Sequence, residues 1–341
     1  TDRVGSVLDL GTGCGVQAIR AAEYADTVTA TDITPRCLTL TAAGAALNEI
    51  DLELLEGSWF EPVAGRTFDR IVANPPFVVS TGDVEHSYRD SGMDLDGASK
   101  LMVSQAVRYL NPGGTAAMLA SWVHVDGEDW RARVASWLPA HGVDAWVVQR
   151  DVADPALYVG TWLRDGDADE RDPDGAALAE QWLDHFERNG VEGVGFGFVY
   201  LRRTDGPSDV LAEDLRHGST DSLGDEAIDY FRRVEWLRNH DVLGARFTLR
   251  PDTALERVYL PGAEGWKEAV VRVHRGNGPG WQHEIDDLAA ALLAGFRADG
   301  LPLEDLVTLL AAAHGEDEDA LTTHAVSLVQ GLVRHGLVEP A

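Results

Sequence analysis

At 341 residues the chain is long enough for two domains, and its 45% apolar content is that of a globular chain with a real core. No apolar run approaches the ~20 residues that cross a bilayer. A formal net charge of −29, from 57 acids against 28 bases, speaks against a broad electrostatic footprint for nucleic acid, though not against a local basic groove.

Val7 to Leu10 is a short apolar run, interrupted only by Asp9, and it reads as a strand. Gly11, Gly13 and Gly15 follow at every second position, with Thr12 between the first two. Val16 to Ala22 then reads as a helix. Strand, glycine turn and helix open a nucleotide-type βαβ unit, in which bare backbone N–H groups can meet a ligand. Cys14 in the turn reads as a small filler. Neither it nor Cys37 has a Cys-x-x-Cys partner, so zinc and a disulfide framework are not expected. The usage fits a reducing cytoplasm. Thr27 to Asp32 is a β-branched strand ending in an acid, about 20 residues beyond the turn, where a carboxylate can accept both hydroxyls of a ribose. A nicotinamide enzyme would show the same acid.

A helix from Pro35 to about Asn48 and a strand from Leu52 to Leu55 come next, followed by Glu56-Gly57-Ser58-Trp59-Phe60-Glu61-Pro62. Phe68 to Ala73 is a strand ended by Asn74-Pro75-Pro76-Phe77, because two prolines cannot continue a ladder. Residues 78–97 form a polar loop directly after that motif. Tyr88 and Arg89 are its candidate substrate contacts. The histidines are scattered and read as surface or core residues, His86, His124 and His141 included.

A helix from Ala98 to Leu110 stops at Asn111-Pro112-Gly113-Gly114. A strand over 115–123, a helix over 128–140 and a strand over 144–150 follow. Residues 165–177 read as a solvated acidic insertion; they lack the ordered spacing of a calcium loop, and no metal site is expected. A helix over 176–189 and a strand over 193–203 complete the first domain. Thr204-Asp205-Gly206-Pro207 marks the boundary, giving domains 1–204 and 205–341. The second is read as a smaller α+β domain: a helix over 225–239, short strands over 245–249, 256–260 and 269–274, and helices over 282–297, 302–313 and 318–335. The last two helices vaguely resemble a winged helix. Their residues are too acidic for DNA reading, so a protein-facing or structural role is favoured.

The Gly-x-Gly-x-Gly turn behind Asp9 resembles motif I of the class I S-adenosylmethionine (SAM) methyltransferases. With it upstream, Asn74-Pro75-Pro76-Phe77 resembles the catalytic motif of those that act on planar nitrogens: release-factor glutamine methyltransferases and N6-adenine or N2-guanine nucleic-acid methyltransferases. The Trp59-Phe60-Glu61-Pro62 run looks particularly like the glutamine enzymes. The resemblance covers about residues 4–203. It implies a doubly wound, seven-stranded Rossmann-like α/β sheet with SAM as cofactor, held by Asp9, Gly11, Thr12, Gly13, Gly15, Asp32, Ser58, Trp59 and Asn74. Ser58 departs from the acid that often follows the glycine in related enzymes. Trp59 or Phe60 is a candidate to pack on the adenine, with a core role as the alternative for each.

The resemblance also implies that Asn74, Pro75, Pro76 and Phe77 hold the target. An amide or exocyclic amine nitrogen is a poor nucleophile, because its lone pair is delocalised. The Asn74 side-chain oxygen and the Pro75 carbonyl can accept its two N–H groups and favour pyramidal geometry, with Phe77 stacked on the flat face. The expected acceptor is a protein glutamine, with an RNA or DNA base as the alternative, in the cytoplasm and without a membrane. A nicotinamide oxidoreductase and a non-catalytic SAM-binding module are weaker rivals. Class I methyltransferases usually carry helices before the first strand, so a missing N-terminal region is expected.

Overall fold

The computed structural model describes residues 3–82, 92–165, 172–215 and 222–341. The chain divides into two compact units, Thr1–Arg216 and His217–Ala341.

The first unit alternates strand and helix: β1 (Val4–Leu10), α1 (Val16–Ala21), β2 (Ala25–Asp32), α2 (Pro35–Leu47), β3 (Glu53–Glu56) and β4 (Phe68–Ala73). The short strands β5 (Ser80–Thr81) and β6 (Asp94–Leu95) precede α3 (Gly97–Ala106), β7 (Leu110–Val125), α4 (Trp130–Ala135) and β8 (His141–Ala153). Then come α5 (Pro155–Asp165), α6 (Pro173–Arg188), β9 (Val191–Pro207) and β10 (Asp209–Asp214). One eight-stranded sheet runs β10-β8-β9-β7-β4-β1-β2-β3. Its ladders are parallel except where β9 pairs antiparallel with β7 and β8.

Val7 to Leu10 is buried throughout, as a strand covered on both faces must be. Alternate residues serve opposite layers. Val7 packs with Ala18, Ala21, Val28 and Ala30 on the α1 side. Leu8 and Leu10 join Ile71, Met102, Val103, Trp122 and Trp137 on the other. Order reverses between β1 and β4, whose registers put Leu10 beside Ala73. The crevice beyond those two strand ends is the switch point at which open α/β sheets bind ligands.

Several expected boundaries move. The third helix ends at Ala106 and passes through a 3₁₀ turn over Val107–Tyr109. Asn111 to Gly114 does not stop the chain: it lies within β7 as an irregularity against β4. The helix expected over 128–140 is only Trp130–Ala135, capped by the Asp129 carboxylate on the Arg131 N–H. The stretch Pro155–Asp165, where no helix was expected, forms α5. Within the expected acidic loop, residues 166–171 lie outside the described residues and Pro173 already starts α6. The proposed boundary at 204–207 falls inside β9, and β10 beyond it pairs with β8, so the sheet gains an eighth strand over the seven expected.

The second unit comprises α7 (Gly224–Asn239), β11 (Phe247–Leu249), β12 (Thr253–Gly262), β13 (Gly265–Arg275), β14 (Gln282–Glu284), α8 (Asp287–Ala294), α9 (Leu303–His314), α10 (Glu318–Arg334) and β15 (Val338–Pro340). The helix expected from 282 begins instead as β14, the third strand of the β12-β13-β14 sheet. A winged helix carries its hairpin after the last helix; here the β12–β13 hairpin precedes α8, α9 and α10, and β15 pairs back to β11. Tyr230, Phe247, Val307, Val329 and Leu332 form part of its buried interior. No helix among the described residues is long and apolar enough to cross a membrane.

Candidate active site

The ends of β1, β2 and β4 bring the two sequence motifs together. Gly11 sits at φ +72, and a Cβ built on it would lie 3.1 Å from Pro75 Cα and Cβ. Only a residue without a side chain lets the glycine turn lie this close to the proline motif. Gly11 and Thr12 donate their backbone N–H groups to the Thr31 carbonyl at 3.0 and 2.9 Å, which ties the turn to β2. Gly15 takes a left-handed conformation, φ 86, and caps α1.

Asp9 is 1% exposed. Its Oδ2 accepts the Thr12 hydroxyl at 2.7 Å, and the Ala18 amide adds a second donor. These donors do not offset burial, which pushes the carboxyl from 3.8 up to about 6, with the nearby Asp32 charge adding to the rise. Among the described residues Asp9 is thus a buried acid with no cation paired to it.

Asp32 binds two segments of backbone. Its Oδ2 accepts the Gly13 N–H at 3.0 Å and its Oδ1 the Thr34 N–H at 2.8 Å. A carboxylate has about four acceptor positions, so it retains capacity for ligand hydroxyls. The Asp32 carbonyl accepts from Gly57 N at 3.0 Å, which brings Ser58 and Trp59 to the same edge. Trp59 adopts φ 47, uncommon for a bulky residue, and packs half-buried against the core. Phe60 is core: it is 2% exposed and stacks on Tyr109 with centroids 4.4 Å apart.

Asn74 is exposed just beyond β4, Pro75 is buried under the glycine turn, and Pro76 and Phe77 are half-buried. The Phe77 ring meets Phe196 of β9 at 5.6 Å. Sequence reasoning missed Phe196. Its signal was the alternation Gly193, Gly195, Gly197 against Val194, Phe196, Phe198. A Cβ at Gly195 would stand 2.4 Å from Trp122 Nε1 and 2.5 Å from Gln149 Oε1, so one face of β9 is bare and the aromatics lie on the other. Tyr88, Arg89 and His86 lie outside the described residues. Cys14, expected as a filler, is exposed. Cys37 is half-buried, and burial with the adjacent Asp32 raises its thiol. His124 is partly buried and bonds Gln149 Oε1 at 2.7 Å.

The comparisons agree with the class that this fold and site define. Residues 1–124 match the methyltransferase small domain, and residues 228–340 match a domain of unknown function (DUF7782). The release factor glutamine methyltransferase of Xylella fastidiosa is 34% identical over 128 residues, covering 34% of this chain and 46% of that protein. A ribosomal RNA small subunit methyltransferase C from Alcanivorax borkumensis is 29% identical over 117 residues, covering 34% of this chain and 32% of that one. Among solved structures, a ribosomal protein L11 methylase from Lactobacillus delbrueckii subsp. bulgaricus shares 28% identity over 35% of this chain and 52% of its own, with a TM-score of 0.28. The chain thus spans less than half the length of these two curated relatives. The segment that matches the methyltransferase small domain holds β1 to β4 of the Rossmann-like sheet.

Proposed function

We propose that the first unit binds SAM and transfers its methyl group to a planar nitrogen, with a protein glutamine side chain as the acceptor. The observation that carries this reading is the convergence of Asp9, Gly11 and Asn74-Pro75-Pro76-Phe77 in one crevice at the switch point of the sheet. The residues fit the cofactor. Asp9 is a carboxyl that burial pushes up to about 6, and the α-ammonium group of the cofactor offsets the cost of its buried charge. Asp32 faces the turn with acceptor capacity for ribose hydroxyls, and Trp59 borders the same edge.

SAM supplies an electrophilic methyl group when bound. The protein supplies position. Asn74 Oδ1 and the Pro75 carbonyl accept the two N–H groups of the acceptor, drawing its lone pair out of conjugation, and the Phe77 ring takes its flat face. No strong base is required, because the nitrogen becomes acidic only once methylated. The release factor and ribosomal RNA acceptors in the relatives' names are the acceptor classes to test. The net charge of −29 favours the protein over the RNA. The reading puts the reaction in a reducing cytoplasm, with which the free thiols Cys14 and Cys37 are compatible.

The test is transfer of tritiated methyl from SAM into an extract of a source strain lacking this gene. Label removed by protease and not by nuclease supports the glutamine reading, and acid hydrolysis of the labelled band must release the label as methylamine, because the acid cleaves an N-methylated side-chain amide to glutamate and the amine. Label removed by nuclease replaces it with base methylation. No label in either, with no SAM binding by calorimetry, refutes it.

A further inference from the structure

We infer that the helix pair α5–α6 is the acceptor-side positioning element of the first unit, acting through Tyr158 and His185 on the chain that leaves the Asn74–Phe77 motif and the chain that returns from it. The inference rests on the methyl-transfer reading above and extends it to residues outside the matched segment 1–124.

Pro75 and Pro76 have no N–H to donate, so the backbone leaving β4 needs an anchor from elsewhere. Two residues after Phe77, Val79 donates its amide to the Tyr158 hydroxyl of α5 at 2.9 Å, in a buried setting. The side chains of Val78 and Val79 are buried in a cluster with Tyr158, Val159, Leu163, Trp182 and Phe186 of the helix pair. Ser80 and Thr81 then pair antiparallel with Leu95 and Asp94, so the departing and returning chains are joined to each other.

The returning chain is also held by the helix pair. His185 Nε2 of α6 lies 2.7 Å from Asp94 Oδ1. Leu95 packs against the same apolar cluster and adopts φ 47. A left-handed conformation in a γ-branched residue is strained and persists where the surroundings over-determine it. Asp96 is then fixed from the opposite side, accepting the Val123 amide at 3.1 Å and the Arg133 guanidinium at 2.9 Å. Finally, β9 follows α6 directly and carries Phe196 against Phe77.

The helix pair therefore reaches both flanks of the connection that follows the catalytic motif, while Asp9, Gly11, Gly13 and Asp32 are held by β1, β2 and α2. Acceptor geometry and cofactor geometry depend on different contacts. Loosening Tyr158 or His185 should raise the acceptor KM and leave cofactor affinity intact.

The experiment uses the full chain with tritiated SAM, titrating as acceptor the extract fraction that the wild type labels. Tyr158→Phe keeps the packed ring and removes the hydroxyl. His185→Ala removes the exposed contact to Asp94, while His185→Gln restores a donor there. The expected result is an acceptor KM raised about tenfold in Tyr158→Phe and severalfold in His185→Ala, with recovery in His185→Gln. Over the same series kcat should stay within about twofold, SAM affinity by calorimetry should be unchanged, and the Val79 amide of Tyr158→Phe should exchange about tenfold faster. Wild-type acceptor KM in Tyr158→Phe and His185→Ala, or a parallel loss of SAM affinity, overturns this inference and leaves methyl transfer standing. Absence of any transfer by the wild type refutes the methyl-transfer reading, and this inference falls with it.

Discussion

Asp9 offers a quantitative check on the cofactor assignment. Burial raises its carboxyl from 3.8 to about 6, and at ~1.4 kcal/mol per tenfold the charged form costs the free protein about 3 kcal/mol. The folded value lies above the unfolded one. The penalty is therefore absent below about pH 3.8, grows as pH rises through the interval to about 6, and is complete above it. A ligand that brings an ammonium group to Asp9 binds the ionised form, so below pH 6 binding must release a proton. Apparent affinity should weaken about tenfold on going from pH 7 to pH 5. S-adenosylhomocysteine is the ligand of choice, because it keeps the α-ammonium and lacks the sulfonium charge, and titration calorimetry in two buffers counts the proton released. Asp9→Asn should flatten this dependence and weaken binding at pH 7.5. It should also raise the melting temperature of the free protein at that pH by about 6–12 °C, since ~2–4 °C accompany each kcal/mol in a unit of this size. Wild-type affinity that is flat from pH 5 to pH 7, or an Asn variant that melts below the wild type, would refute the reasoning.

Asn74→Ala removes an exposed acceptor at the end of β4 and should retain SAM affinity while transfer into the labelled extract fraction drops at least ~100-fold. Asp32→Ala frees the Gly13 and Thr34 amides that its two oxygens bind; calorimetry should show cofactor affinity weakened at least about tenfold. Arg133→Ala leaves Asp96, 5% exposed, with its negative charge unpaired. The first unit should lose about 3 kcal/mol, read as a lower urea midpoint with unchanged slope.

The first half of the catalytic unit was legible in the sequence because local chemistry decides it. The apolar run Val7–Leu10, the glycine turn and the strand ending at Asp32 each follow from short-range rules, and their order gives the parallel βαβ start. The motif residues 74–77 were legible because prolines end a ladder wherever they occur. The sequence-based reading failed where tertiary pairing overrides such signals. Asn111-Pro112-Gly113-Gly114 reads as a stop, yet it lies within β7 as an irregularity between the pairing of Leu110 with Phe68 and that of Thr115 with Arg70 and Arg202. Thr204 to Pro207 reads as a linker for the same reason, and strand β9 runs through it to reach β8. Pro155–Asp165 was missed because its helical face shows only when paired with α6, through Tyr158 against Phe186 at 6.3 Å. Phe196 lies 122 residues from Asn74 in sequence, and only the antiparallel return of β9 brings it to Phe77.

The division of labour in the first unit follows from where each constraint originates. The cofactor half of the crevice is built from β1, β2 and their turns, and its hydrogen bonds span short sequence distances: Asp9 to Thr12, Asp32 to Thr34, Gly13 to Asp32. Such a half is specified by a compact run of sequence and lies within the segment 1–124 that matches the methyltransferase small domain. The acceptor half is closed by contacts of long range, Val79 to Tyr158 and Asp94 to His185, whose partners lie in a helix pair beyond that segment. On the methyl-transfer reading proposed above, cofactor binding and acceptor choice therefore draw on separate parts of the fold. The identity of the acceptor is accordingly to be sought with variants in α5 and α6, whereas variants in residues 9–32 report on SAM.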